Sequence, residues 1–125
     1  ERAREASAGA AEFLLRHRLF RSHRTGEPIH PEFAKLHHPV RWHFDVLRGL
    51  LALAESGVVD DPRLGDAVQV LVKRRRPDGR WAANRGYPGA THIAYPRAGE
   101  PNRWVTLNAL RVLRACRGQA QPMPA

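Results

Sequence analysis

The feature that most constrains this fold lies at residues 70–81, where an apolar helix meets a tight turn and a tryptophan. Four basic residues (73–76) end the helix, because Pro77 has no backbone N–H to continue it. The Pro-Asp-Gly sequence at 77–79 has the residue types of a β-turn. The chain then reverses direction, and we expect Trp81 to fold back onto the end of the helix.

Hydrophobic residues at helical spacing predict an all-α fold of four main helices without strands. The predicted helices cover residues 3–21, 39–56, 62–76 and 101–118. Pro39 and Pro62 are suited to the first helical position. Asp61 is suited to a helix cap and Gly57 to a left-handed helix end.

The apolar stripes of these helices predict the core. The second helix is apolar around most of its circumference, so it is expected to lie inside the fold. The third helix is predicted to bury Leu64, Ala67, Val68, Leu71 and Val72. The fourth is predicted to bury Val105, Ala109, Val112, Leu113 and Cys116.

Short sequence matches indicate two repeats of a helical hairpin, each with an outer helix, a loop and an inner helix. The Arg41-Trp42 pair returns as Arg103-Trp104. Both pairs are expected at the start of an inner helix. Residues 1–117 are therefore predicted to form one helical domain, followed by a flexible tail (118–125) of small residues and prolines.

Charge and cysteine content narrow the classes of function. The formal net charge is +9, and nearly all the positive charge comes from arginine in a chain rich in Ala, Gly and Pro. No helix-turn-helix or zinc-finger spacing accompanies it, so nucleic-acid binding is kept only as an alternative. The single cysteine, Cys116, excludes an internal disulfide and is expected in the core. No apolar run has the length of a membrane span, and we expect a cytoplasmic protein without metal or cofactor.

The 70–81 motif resembles the repeat of the α/α-toroid proteins, which include terpenoid cyclases, protein prenyltransferases and uncharacterised bacterial squalene-cyclase-like proteins. The apolar helix, Asp78, Gly79 and Trp81 match the motif, whereas Arg75 stands where the family has a glutamine. The resemblance implies that Arg75 stacks on Trp81 in place of that glutamine. A complete toroid needs far more than four helices, so the resemblance also implies a partial toroid. The chain would then lack N-terminal repeats, be a minimal relative, or self-associate.

The catalytic motifs of that family are absent from this sequence. There is no Asp-x-Asp-Asp acid motif, and the only acidic pair, Asp60-Asp61, lies at the predicted helix cap. His43 and Asp45 are the weak catalytic candidates, as an acid–base histidine and a carboxylate. The alternatives are a core histidine, and a surface ion pair of Asp45 with Arg41 and Arg48.

A ligand site is predicted near the starts of the two inner helices. The candidate residues are Trp42, His43, Arg103 and Trp104, with His92 from the loop before the fourth helix. Helix N-termini and arginines favour anions, and indole rings cover apolar surface. This combination suits an amphiphile with an acidic head, although structural anchoring by the tryptophans is the alternative.

Two other groups of residues have weaker functional interpretations. His30, His37, His38 and His43 are rich in potential metal ligands, but their spacing fits no standard site, and adjacent His37 and His38 must point apart. Tyr87, His92, Tyr95 and Arg97 lie in a long loop that either carries function or covers the core.

The sequence therefore predicts a non-catalytic binding or scaffolding module of the toroid type, with an amphiphilic small molecule as its partner. The alternatives are part of an enzyme acting on isoprenoid or other hydrophobic substrates, and a basic nucleic-acid-binding module. Fold resemblance alone does not decide among them.

Overall fold

A computed structural model describes residues 1–84 and 91–119 of the chain. Helices cover 51% of these residues, and no strand occurs within them, which confirms the all-α class. None of the helices in these two ranges is both long and apolar enough to cross a membrane. The α-helices are α1 (Arg2–Arg16), α2 (Val46–Glu55), α3 (Gly65–Arg74) and α4 (Arg103–Ala115). Short 3-10 helices occur at Pro31–Ala34, Pro62–Leu64 and Arg117–Gln119.

Helix α2 lies at the centre and packs against α3 and α4, as its apolar circumference predicts. Its buried residues are Val46, Leu47, Gly49, Leu50 and Leu53. Gly49 permits close packing, because a Cβ there would lie 2.9 Å from a methyl carbon of Leu19 and 3.1 Å from the ring of Phe44. The centre of the fold therefore depends on a residue without a side chain.

Helix α1 ends at Arg16, five residues earlier than predicted. Arg18 and Leu19 follow with φ angles of 46° and 69°, in the left-handed region that residues with a Cβ rarely adopt. The reason lies in packing, since Leu19 and Phe20 are 3% and 4% exposed and turn into the core. Burial of these two side chains overrides the local helical pattern.

Helix α2 begins at Val46, so the predicted start at Pro39 is wrong. Asp45 adopts an extended backbone and its side chain accepts a hydrogen bond from the Arg48 amide at 2.9 Å, which makes it the N-cap. Residues 39–45 therefore form a non-helical entry to α2.

The predicted boundaries of α3 and α4 agree with the structure better than those of α1 and α2. Asp61 caps the 3-10 turn that leads into α3, with Pro62 in its first position. Asn102 caps α4, and its side chain accepts from two amides of the first turn. The predicted apolar stripes are confirmed except at Val72, which is 37% exposed, and at Leu113, which is partly buried.

The first two residues of the predicted tail belong to a helix. Gly118 and Gln119 belong to the last 3-10 helix, and the Gln119 side chain donates to the Asp60 carbonyl at 3.3 Å. Residues 120–125 of the predicted tail lie outside the described residues.

The turn after α3 has the geometry that its sequence predicts. The Gly79 amide donates to the Arg76 carbonyl at 2.9 Å, and Gly79 has a φ of 82° that glycine adopts without steric cost. Asp78 accepts from the Arg80 amide at 3.0 Å. The turn is therefore closed by backbone and side-chain bonds that direct the following residue back to α3.

Trp81 is fully buried and joins α3 to α4. Its ring nitrogen donates to the Leu71 carbonyl at 2.8 Å, near the end of α3. Its backbone amide donates to the Thr106 hydroxyl at 2.9 Å, and its carbonyl accepts from the Asn102 amide at 2.8 Å. The Arg75 guanidinium lies 5.3 Å from the ring centre, so the predicted stacking at the helix end is confirmed.

Replacing this side chain tests how far the fold depends on it. We expect Trp81→Ala to lower the free energy of unfolding by about 3–5 kcal/mol, because it leaves a large cavity and an unpaired Leu71 carbonyl. Trp42, which is 76% exposed, is the matched control, and Trp42→Ala is expected to cost less than about 0.5 kcal/mol. Urea denaturation measures both values, and equal effects of the two changes would contradict this role of Trp81.

Candidate functional site

An open groove of about 690 Å³ runs beside α4. Helix α4 contributes one continuous stripe to it, and the loop before α4 and the turn after α3 complete the walls. The lining residues are Arg80, Ala94, Tyr95, Pro96, Pro101, Arg103, Trp104, Thr106, Leu107 and Leu110. The groove thus combines a mainly apolar wall with two guanidinium groups.

An aromatic cluster, defined as His38, Tyr95 and Trp104, adjoins this groove, which Tyr95 and Trp104 line. The rings of His38 and Trp104 are stacked at 4.8 Å with an angle of 7° between their planes. Tyr95 meets both rings edge-on at 5.4–5.5 Å. Burial lowers the pKa of His38 below its ordinary value, so the neutral ring is favoured in this apolar contact.

Arg103 supplies positive charge to the groove. Its guanidinium carbon lies 4.3 Å from the centre of the Trp104 ring, and its side chain is exposed. Within residues 1–84 and 91–119 no carboxylate forms an ion pair with Arg103. Arg80, by contrast, bonds to Asp78 at 3.1 Å. Arg103 is therefore more available than Arg80 to bind an external anion.

The helix N-termini themselves contribute little to anion binding. The Asn102 side-chain oxygen accepts from the amides of Trp104 and Val105 at 3.1 and 3.2 Å, so two amides of the first turn of α4 already have an acceptor. The first turn of α2 is capped by the carboxylate of Asp45, which repels an anion. An anion in the groove would therefore depend on arginine side chains rather than on helix amides.

The structure separates the predicted ligand residues into two groups. Arg103 and Trp104 line the groove, whereas Trp42 and His43 lie in the non-helical entry to α2 and do not. The Trp42 and His43 rings are 5.0 Å apart, and Trp42 points largely into solvent. The two Arg-Trp pairs thus occupy different structural positions. Of the loop candidates, Tyr95 lines the groove.

The other loop candidates lie apart from the groove or cannot be placed. His92 and Arg97 are exposed and do not line it. The backbone amide of Arg97 donates to the Glu100 carboxylate at 3.0 Å, which closes a local turn. Tyr87 lies outside the described residues.

His37 forms a buried network that the sequence did not reveal. Its ring nitrogens lie 3.0 Å from a carboxylate oxygen of Asp45 and 3.2 Å from one of Glu32. Its backbone amide also donates to Asp45 at 2.9 Å. The hydrogen bond to Asp45, reinforced by Glu32, raises the pKa of His37, because both partners favour the imidazolium. His43 stacks on His37 at 4.9 Å.

This network corrects the interpretation of Asp45 as part of a surface ion pair. Asp45 is 0% exposed, and its two oxygens accept from His37 and from the Arg48 amide. The Arg48 guanidinium instead donates to the carbonyls of Arg41 and His43 at 2.8 and 3.0 Å. With these bonds formed, Asp45 acts as a cap and an anchor rather than as an accessible catalytic base.

The remaining candidate residues contact other side chains within the fold. His37 and His38 point to different partners, as their adjacency predicts, and His43 is half-buried between two rings. Among the residues that the structure describes, no three histidine, cysteine or carboxylate side chains are arranged to hold a metal ion. Cys116 is a buried free thiol, and burial raises its pKa.

Comparisons of this chain with protein-family models, curated proteins and solved structures found no match. The resemblance of the 70–81 motif to the α/α-toroid proteins therefore stays a prediction.

The opposite pKa shifts of the adjacent residues His37 and His38 predict two pH-dependent losses of stability. The raised pKa of His37 contributes stability that is complete below about pH 6.5 and is lost as the pH rises through its folded pKa. The lowered pKa of His38 has the opposite sign, so its contribution is complete above about pH 6.5 and is lost as the pH falls through its folded pKa. Stability should therefore be greatest near the ordinary histidine pKa.

Urea denaturation between about pH 5 and 8.5 measures this profile. We expect His37→Gln to remove part of the loss on the alkaline side, and His38→Gln to remove part of the loss on the acidic side. A His37→Gln variant that keeps the full wild-type loss above about pH 6.5 would contradict the assignment of that loss to the Glu32–His37–Asp45 network.

Proposed function

We propose that this chain is a non-catalytic binding module that holds an amphiphile with an acidic head group in the groove beside α4. The observation that carries the proposal is an exposed arginine, without an ion pair among the described residues, next to an apolar wall in one groove. A fatty acid or a prenyl phosphate has the matching chemistry.

Arg103 is the proposed contact for the acidic head. Its guanidinium already lies over the Trp104 ring, which limits the side-chain freedom that is lost when an anion binds. A planar guanidinium can donate two parallel hydrogen bonds to a carboxylate or phosphate. Arg80 lies on the same groove, so its partly neutralised charge adds to the attraction.

The apolar tail is proposed to lie along α4. Leu107 and Leu110 line the groove although they are 57% and 46% exposed, and a hydrocarbon chain would cover both. Trp104 and Leu107 are three residues apart, as are Leu107 and Leu110, so they follow one face of the helix. Removing this apolar surface from water would supply the main favourable free energy of binding.

Two other functions receive less support. An enzyme acting on isoprenoid or other hydrophobic substrates rests on the toroid resemblance, but the candidate base Asp45 is fully buried and hydrogen-bonded. Nucleic-acid binding rests on the net charge of +9 alone.

We also propose a reducing, cytoplasmic setting, which suits the buried free thiol of Cys116.

Calorimetric titration with decanoate and with decanol tests the binding proposal, because the two ligands share a tail and differ in head charge. We expect decanoate to bind more tightly, and Arg103→Ala to weaken its binding about tenfold or more through loss of a charge-assisted hydrogen bond. Binding of decanol should change little in the variant.

Arg111→Ala is the matched control, since Arg111 is an exposed arginine on α4 that does not line the groove. It removes the same charge from the same helix, so decanoate affinity should stay near that of the unchanged chain. Equal affinities for decanoate and decanol, or equal effects of the two substitutions, would overturn the proposal.

The scaffolding part of the proposal is self-association of a partial toroid. A four-helix portion of a toroid leaves apolar helix faces uncovered, and Phe13 on α1 is 63% exposed beside a largely apolar groove between α1 and α2. A second copy of the chain is the proposed occupant of this face. The toroid resemblance, together with this exposed surface, supports it.

Sedimentation velocity over a range of concentrations tests self-association. We expect a concentration-dependent dimer that Phe13→Glu weakens, because a carboxylate in an apolar interface is costly to desolvate. Ile29→Glu is the control, since Ile29 is a large hydrophobic residue that is 51% exposed in a loop. A monomer at every concentration, or equal effects of both changes, would contradict this part of the proposal.

A further inference from the structure

A second cavity, of about 410 Å³, lies where α1 ends and shares no lining residue with the groove beside α4. Arg16, Arg18 and Arg21 line it together with the loop that follows α1. Asp66, from the first turn of α3, is the carboxylate on its wall. The cavity is therefore lined by three arginines and a single acidic residue.

The charge of this cavity is only partly neutralised. Asp66 lies 2.9 Å from Arg21 and 3.8 Å from Arg18, so one carboxylate faces two guanidinium groups. Arg21 also donates to the Gly26 carbonyl at 2.9 Å, which fixes the direction of its side chain. The Arg18 guanidinium lies within ion-pair distance of Asp66 but too far for a hydrogen bond, and its side chain is 53% exposed, so it is accessible to an external anion. An excess of positive charge remains for an external anion.

The backbone conformation just after α1 brings these arginines to the same cavity. Arg18 has a φ of 46° and Leu19 a φ of 69°, two consecutive left-handed residues that both carry a Cβ. This conformation buries Leu19 beside Gly49 of α2, while Arg18 faces solvent at the cavity. In a continued helix, residues 16 and 18 would lie on opposite faces, since they are two positions apart, and the three arginines could not line one cavity. Residues held in such sparsely populated conformations occur often at binding sites.

We infer that this cavity binds a phosphoryl group. Guanidinium groups donate paired hydrogen bonds to phosphate oxygens, and a dianionic phosphoryl group matches the excess of positive charge left by Asp66. Arg21, oriented by Asp66 and Gly26, supplies a fixed donor group, and Arg18 supplies the adaptable one. This site is independent of the amphiphile proposed for the groove beside α4.

Titration with inorganic phosphate and with pyrophosphate, followed by calorimetry and thermal denaturation, tests this inference. We expect both anions to bind and to raise the melting temperature, and pyrophosphate to bind more tightly because it carries more charge. Arg18→Gly should weaken pyrophosphate binding at least tenfold. The variant should keep its fold, because glycine accepts the left-handed conformation at this position.

Arg41→Gly is the matched control. Arg41 is also an exposed arginine with a positive φ, of 43°, and it does not line the cavity. The two variants therefore lose the same charge and gain the same backbone freedom. We expect pyrophosphate affinity to stay unchanged in Arg41→Gly.

Three results would overturn the inference. The first is an absence of pyrophosphate binding up to about 10 mM, which lies above the dissociation constant of even a weak millimolar site. The second is an equal loss of affinity in the two variants, which would indicate attraction by net charge alone. The third is binding of a DNA duplex that exceeds pyrophosphate binding and depends equally on both arginines, which would indicate general contact with a polyanion.

Discussion

The buried indole of Trp81 is the contact on which the arrangement of the helices depends. It fills the space between the end of α3 and the start of α4, and its polar atoms bond to both helices. A tryptophan can be buried at this depth because its ring N–H finds an acceptor in the Leu71 carbonyl. The position of α4 relative to α3 follows from this contact, and with it the location of the groove that α4 lines.

A second set of contacts holds the long segment between α1 and α2. Asp45 caps α2 and also binds His37, so one buried carboxylate connects the helix start to the chain eight residues earlier. Glu32 binds the other nitrogen of the same ring. A buried carboxylate is costly unless it is fully hydrogen-bonded, and here its bonds satisfy it. The adjacent His38 then faces Trp104, which connects this segment to the groove.

The sequence predicted the elements whose signals are local. The cap at Asp61, the start of the fourth helix near residue 101, the turn at 77–79 and the position of Trp81 agree with the structure, because each depends on the backbone chemistry of a few consecutive residues. The errors occur where distant packing overrides such signals. Helix α1 ends early because Leu19 is buried against α2, and α2 starts late because Asp45 serves as a cap.

The sequence indicated which residue types the candidate site contains, but it did not indicate which residues lie together there. The sequence alone identified Arg103 and Trp104 as an arginine and an indole beside a helix start, and four helices with apolar faces. Only the tertiary structure decided that Trp42 and His43 lie away from the groove, that Tyr95 and His38 join Trp104, and that the arginines at the end of α1 meet Asp66. Helix periodicity and caps are encoded within a few residues, whereas these contacts join residues far apart in the chain and follow from how the helices pack.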